Sequence, residues 1–371
     1  MKFEMIKRQQ SYGEDVGASR GMKRSRMGVV VAALVAFALV NPALARERRR
    51  DPQVQRKAHA PSIPARMVPP EKPPQGPYAS ALLVDADSGR VLFEKDPAGP
   101  RPPASMVKMM VALLTFEALE QGGIRLDHQV RISLTASRTG GTGIFLKPGE
   151  RLPLEDLLKA MLVASANGAS VAIAEALAGS QQAMIARMNR RAHELGMTET
   201  VYRTVNGLPP RTGKGLPDMT SANDLAILAR KLVERHEVFR YSSRPVVPIR
   251  NGTVLIRNTN HLVGHMDGAD GLKTGYYRRA GFNLTATAAR DGMRLIAVVM
   301  GCPTLSSRFL LAQELMEWGF AHFSQVNDEA GQPLPVEVKV AHNRRRVPNV
   351  LAVSPIGIAS PAAVASALLS P

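Results

Sequence analysis

A chain of 371 residues of which 45% are hydrophobic can bury a proper core, which excludes the fibrous and disordered classes. Its 48 Lys and Arg against 31 Asp and Glu give a net charge of +17, which favours polyanionic surroundings such as nucleic acid, anionic lipid or an acidic wall polymer. The basic residues are spread along the chain, aromatics make up 5% and no zinc-finger or RNP motif occurs, so the pattern argues against nucleic acid as partner.

A basic segment, "MKRSR" at 22–26, precedes the apolar run 27–40, which is followed by "NPALA", where Ala43 and Ala45 fit a small-x-small cleavage site. Residues 1–45 therefore read as an N-terminal extension and export signal, with the natural start at Met22 or Met27. An uncleaved signal leaves the protein tethered to a membrane. Residues 46–77, basic and then proline-rich, read as a stiff linker.

Order is expected from Tyr78, where "ASALLVDADSGRVLFEKD" suits two strands joined by a polar turn. An unusually apolar helix, "PPASMVKMMVALLTFEAL", follows and is closed by Gly122 and Gly123. Four helical stretches occupy roughly 150–240, after which "TVLIRN", "GLKTGY", "FNLTATAAR" and "RLIAVVMG" take the period of strands. A last helix, "SSRFLLAQELMEWGFAHF", leads into an Ala/Pro/Ser-rich tail over 326–371, expected to be poorly ordered. Strands at both ends of 78–325 and helices between them predict an α+β fold: an antiparallel sheet flanked by helices, with an inserted helical subdomain. A lone cysteine, Cys302, rules out an intrachain disulfide, so this fold must stand on its core.

Ser105 and Lys108 lie one helical turn apart at the head of the apolar helix. A neutral lysine there can take the serine's proton, and the helix's positive end favours the resulting oxyanion. A helix-capping serine with a snorkelling lysine has the same spacing. Two further elements add weight: Ser165-Ala166-Asn167 between two apolar helices, and Lys273-Thr274-Gly275 on an expected strand. Ser221-Ala222-Asn223 repeats the second triplet, but Ser221 and Asp224 have capping-box spacing, and a structural role explains that copy. In "HLVGHMD", His261, His265 and Asp267 are close together without the glutamate of a zinc helix, so no metal or other cofactor is expected.

S-x-x-K, S-x-N and K-T-G in this order resemble the serine-type D-alanyl-D-alanine carboxypeptidases, the low-molecular-mass penicillin-binding proteins. "PPASMVKMM", "PGERLPLEDLLKAMLVASANGAS", "NTNHL", "DGLKTGYYRRAGFNLTATAARDGMRLIAVVMG" and "SSRFLLAQELMEWGF" carry the likeness over 78–325. The resemblance implies a β-lactamase/transpeptidase-like fold and a catalytic penicillin-binding domain. It makes Ser105 the nucleophile on the D-Ala-D-Ala carbonyl, Lys108 its base and Ser165 a proton relay. Asn167 would hold the substrate's amide, Lys273 would supply a second cation that tunes Lys108, Thr274 would bind the terminal carboxylate, and Gly275 would let the peptide lie along the strand. The amides of Ser105 and Tyr276 would form the oxyanion hole, and Arg308 would assist carboxylate recognition, against the alternative of a solvated helix-start arginine.

The implied partners are peptidoglycan stem peptides, β-lactams as covalent inhibitors, and weak contact with an anionic wall or membrane surface. The implied location is the periplasm or cell envelope. One departure stands out: Gly168 follows Asn167 where many members carry an aspartate. A D,D-endopeptidase, a β-lactamase and a non-catalytic wall-binding protein are the rival readings. The β-lactamase lacks an identifiable glutamate to drive water onto the acyl-enzyme.

Overall fold

The computed structural model describes residues 69–209 and 215–329, with side chains of the last helix through residue 323. The expected signal segment, most of the linker and the tail beyond residue 329 lie outside the described residues.

In chain order the strands β1 (Ser80–Asp85) and β2 (Val91–Lys95) form a hairpin, and a tight turn, Ala104–Val107, then feeds helix α1 (Lys108–Glu120). A helical lobe follows, made of β3 (Gln129–Arg131), α2 (Leu134–Ser137), β4 (Arg151–Pro153), α3 (Leu154–Leu162), α4 (Asn167–Ala178), α5 (Gln181–Glu194), α6 (Ala222–Val233) and α7 (Phe239–Ser242). The chain then returns through β5 (Val246–Ile249), β6 (Val254–Arg257), β7 (Ala269–Tyr277), β8 (Gly281–Arg290) and β9 (Met293–Cys302) to α8 (Leu305–Glu329).

The main sheet has the order β2-β1-β9-β8-β7 and is antiparallel throughout. Both ends of the domain thus complete one sheet, as the order of sequence patterns predicts. "TVLIRN" is the exception: β6 pairs with β5 in a separate two-stranded ribbon. The last helix also runs past the expected boundary at Gln325, as far as Glu329.

The central strands read as unbroken apolar runs because each face meets its own core. Leu82, Val84, Ile296, Val298 and Met300 join α1, α3, α4 and α6 on the lobe side, whereas Leu83, Leu295, Ala297 and Val299 meet Phe309, Ala312, Leu315 and Met316 of α8 on the other. Helix α1 lies inside the lobe-side core, with every residue from Lys108 to Phe116 buried. A helix apolar on all sides has nowhere else to go. Its first residue is nonetheless a lysine, and the turn before it packs against β7, the edge strand.

Candidate active site

Ser105 lies on the tight turn that precedes α1, half-buried at the seam between lobe and sheet. The turn is tight enough to hold a non-glycine residue, Ala104, at φ +51°, a left-handed conformation that costs about 1–2 kcal/mol and is found where surrounding packing over-determines the backbone. Ser165, between α3 and α4, has the same character at φ +58°.

The Lys108 amine is fully buried and meets three oxygens: Ser105 Oγ at 2.8 Å, Asn167 Oδ1 at 2.7 Å and the Asn206 carbonyl at 2.9 Å. The two carbonyl-type oxygens can only accept. Asn167 is oriented without ambiguity, because its Nδ2 donates to the Gly140 carbonyl at 2.9 Å. A neutral Lys108 therefore spends both N–H groups on Asn167 and Asn206, leaving its lone pair for the Ser105 hydroxyl. Burial holds the amine well below the ordinary lysine range, and the nearby Lys273 lowers it further, while Asp218 pulls the other way. The site thus favours the neutral base that a serine nucleophile needs.

Lys273 projects from β7 into the same pocket, donating to Ser165 Oγ at 2.8 Å and to its neighbour's carbonyl, Thr274 O, at 3.0 Å. Burial, then the Arg308 guanidinium, push it down to about 7. Arg308 is buried too, pushed down to about 10 by that burial, and lies over the Phe309 ring at 4.3 Å. Its Nη1 reaches the Gly275 and Asn283 carbonyls only at 3.5 and 3.3 Å, and its Nε has no hydrogen-bond partner among the described residues. This overturns the alternative of a solvated helix-start arginine. A buried guanidinium that is poorly paired within the protein suits an anionic ligand.

Thr274 Oγ1 donates to Thr259 Oγ1 at 2.9 Å. Gly275 has a reason for lacking a side chain besides the one the sequence suggests. A Cβ there would run into the Pro103 carbonyl and sit 3.2 Å from Ala104 Cβ, so the glycine lets β7 press against the nucleophile's turn. Tyr276 is exposed and stacks on Phe282 with ring centroids 4.1 Å apart.

All nine residues singled out from the sequence are thus accounted for around one seam. Ser221 proves to be a helix cap, its Oγ accepting from the Asp224 amide at 3.1 Å. His261 stacks on Phe309, and among the described residues no group of three His, Cys, Asp or Glu could hold a metal ion. Sequence reasoning missed Thr259 and Asn206. Thr259 lay within a segment noted only for its family likeness, and Asn206 acts through its carbonyl, which leaves no mark on residue type. The aspartate that many family members carry at the position of Gly168 has no room here. A Cβ on Gly168 would come within 2.5 Å of the Ala136 carbonyl and 3.0 Å of Leu146 Cδ1.

A serine backed by a buried lysine, with a second lysine facing a second serine between a sheet edge and a helical lobe, defines an active-site-serine hydrolase working by acyl transfer. The family described as D-alanyl-D-alanine carboxypeptidase, Peptidase_S11, matches residues 69–304. The chain is 35% identical over 282 residues to the D-alanyl-D-alanine carboxypeptidase DacF of Bacillus subtilis, covering 75% of this chain and 71% of that one. It is 34% identical over 253 residues to DacC of Escherichia coli, covering 66% of this chain and 62% of that one, so it spans somewhat less than two thirds of that relative. Among solved structures, penicillin-binding protein D2 of Listeria monocytogenes in its ampicillin-bound form superposes with a TM-score of 0.58 at 31% identity, over 66% of this chain and 97% of that one. The chain belongs to the D-alanyl-D-alanine carboxypeptidase family of serine peptidases.

Proposed function

We propose that this protein removes the terminal D-alanine of peptidoglycan pentapeptides through an acyl-enzyme on Ser105. The observation that carries the reading is the Lys108 amine, 2.8 Å from Ser105 Oγ with its remaining contacts on pure acceptors. Ser105 Oγ attacks the carbonyl of the penultimate D-alanine as its proton passes to Lys108, and the backbone N–H groups of Ser105 and Tyr276 receive the oxyanion. The C–N bond then breaks, and Ser165, hydrogen-bonded to Lys273, relays a proton to the departing amine. Water attacks the ester and frees Ser105. Thr274, Lys273 and Arg308 receive the substrate's terminal carboxylate, and Asn167 completes the wall beside its amide. β-Lactams enter the same path as acylating inhibitors, in keeping with the ampicillin-bound relative.

Reading 1–45 as an export signal supports a periplasmic or cell-envelope location for the catalytic domain, 78–325, tethered if the signal is uncleaved. The net charge of +17 suits weak contact with an anionic wall or membrane surface.

The test is mass spectrometry of a pentapeptide monomer mixed with a D,D-cross-linked dimer, incubated with the protein and with Ser105→Ala. Loss of one alanine from the monomer, absent with the variant, is the expected result. Splitting of the dimer instead moves the assignment to endopeptidase, and two unchanged substrates refute the catalytic reading in favour of a wall-binding protein.

A further inference from the structure

Asp218 is a buried carboxylate outside the three motifs, 3% exposed. Its Oδ1 accepts the backbone amides of Arg203 at 2.6 Å and Thr204 at 2.9 Å, and its Oδ2 accepts the Thr204 hydroxyl at 2.7 Å. Thr204 Oγ1 in turn accepts the Gly207 amide at 2.7 Å. The carbonyl on the other side of that same peptide, Asn206 O, is the one that receives a hydrogen bond from Lys108. From the lobe, Ser170 Oγ on α4 donates to the Val205 carbonyl at 2.5 Å. Residues 203–207 are therefore clamped on one side by Asp218 and α4, and bear on the other against Lys108 and the turn that carries Ser105.

We propose that Asp218 is a positioning residue for acylation, holding the Asn206 carbonyl against the Lys108 amine through Thr204 and bringing a negative charge to bear on that amine. The inference rests on the reading of Ser105 as nucleophile and Lys108 as its base. A base in acyl transfer must first take a proton and then give one up. Burial and Lys273 both push Lys108 towards the neutral form, and Asp218 opposes them, so that the amine retains enough basicity to take the serine's proton. The titratable groups that feel Asp218 are Lys108 on α1, Tyr202 at the start of the clamped segment and Tyr277 at the end of β7. Lys108 in addition faces Lys273 on β7.

Two variants separate charge from geometry. Asp218→Asn keeps the shape and an acceptor oxygen but removes the charge, so Lys108 loses a proton more readily and the acid limb of acylation moves to lower pH. Thr204→Val keeps the charge and cuts the link to the Gly207 amide, so the limb stays while the plateau falls.

The experiment is the rate of labelling by a fluorescent penicillin between about pH 5 and about pH 9, with melting temperatures measured alongside. In Asp218→Asn the acid midpoint is expected roughly one pH unit lower. In Thr204→Val the plateau is expected about tenfold lower at an unmoved midpoint, with Thr204→Ser restoring it. An unmoved midpoint in Asp218→Asn, or a wild-type plateau in Thr204→Val, overturns the proposal. If Asp218→Asn does not fold, Thr204→Val and its serine rescue decide it. Wild-type protein that is not labelled at Ser105 would sink the functional reading first and this inference with it.

Discussion

Gly207 offers a sharp test of how closely the 203–207 segment is built against the nucleophile. Its φ is +82°, and a Cβ there would drive into the Ala104 carbonyl and come within 2.9 Å of the Ser105 amide. Gly207→Ala therefore incurs two costs. The left-handed backbone costs an L-residue about 1–2 kcal/mol, and overpacking against neighbouring backbone adds about 1–3 kcal/mol. At about 2–4 °C per kcal/mol for a domain of this size, the melting temperature should fall by about 4–20 °C. The displaced neighbour is the turn that carries Ser105, so a shift of the order of 1 Å should slow acylation about 100-fold. Gly292, in the turn between β8 and β9, is the control: its φ is +79°, but a Cβ there meets nothing within 4 Å. Gly292→Ala carries only the first cost, so it should lose about 2–8 °C and acylate normally. Differential scanning fluorimetry and the rate of fluorescent-penicillin labelling measure both effects. If the two variants melt alike and Gly207→Ala is labelled within about threefold of wild type, the close approach is not what holds the turn.

Lys273 makes a stability prediction with a definite sign. Burial pushes it down to about 7 in the folded chain, so between there and its ordinary value of 10.5 the unfolded chain binds a proton that the folded chain does not, and stability rises with pH across that window. Lys273→Met should melt higher than wild type near pH 7, lose that advantage above about pH 10, and be labelled at least about 100-fold more slowly; a lower melting temperature at neutral pH would refute the buried-charge cost. Gly168→Asp, which introduces the acidic residue common after the S-x-N asparagine, should destabilise by about 1–3 kcal/mol because its Cβ meets the Ala136 carbonyl at 2.5 Å, and should not hasten deacylation. A stable Gly168→Asp whose penicilloyl adduct decays faster than wild type would show that the missing carboxylate is a functional loss.

The pieces of chemistry were legible where they depend on residue type at short spacing. Ser105 and Lys108 are three positions apart, Ser165 and Asn167 two, and Lys273 to Gly275 are consecutive, so each motif survives in one dimension. What stayed hidden is what the fold brings from a distance. The unbroken apolar run of "RLIAVVMG" suits a strand covered on both faces but does not say which elements cover them, and "TVLIRN" has strand composition whether it joins the main sheet or, as it does, a ribbon beside it. Arg308 reads equally as a solvated or a buried arginine until α8 is laid on the sheet and Phe309 comes to lie beneath it. Gly168 looks like a lost carboxylate until α2 is placed against it.

Lys108 carries the lesson furthest. Its role as a base depends on two acceptors taking its N–H groups: Asn167, 59 positions away, and the Asn206 carbonyl, 98 positions away. One of those is a main-chain atom to which any residue could contribute, so no motif records it, yet without it the lone pair is no longer directed at Ser105. The base is therefore made by the packing of residues 203–207 against the turn as much as by the lysine. Substitutions in that segment should affect labelling as active-site substitutions do, although none of its side chains needs to touch the substrate.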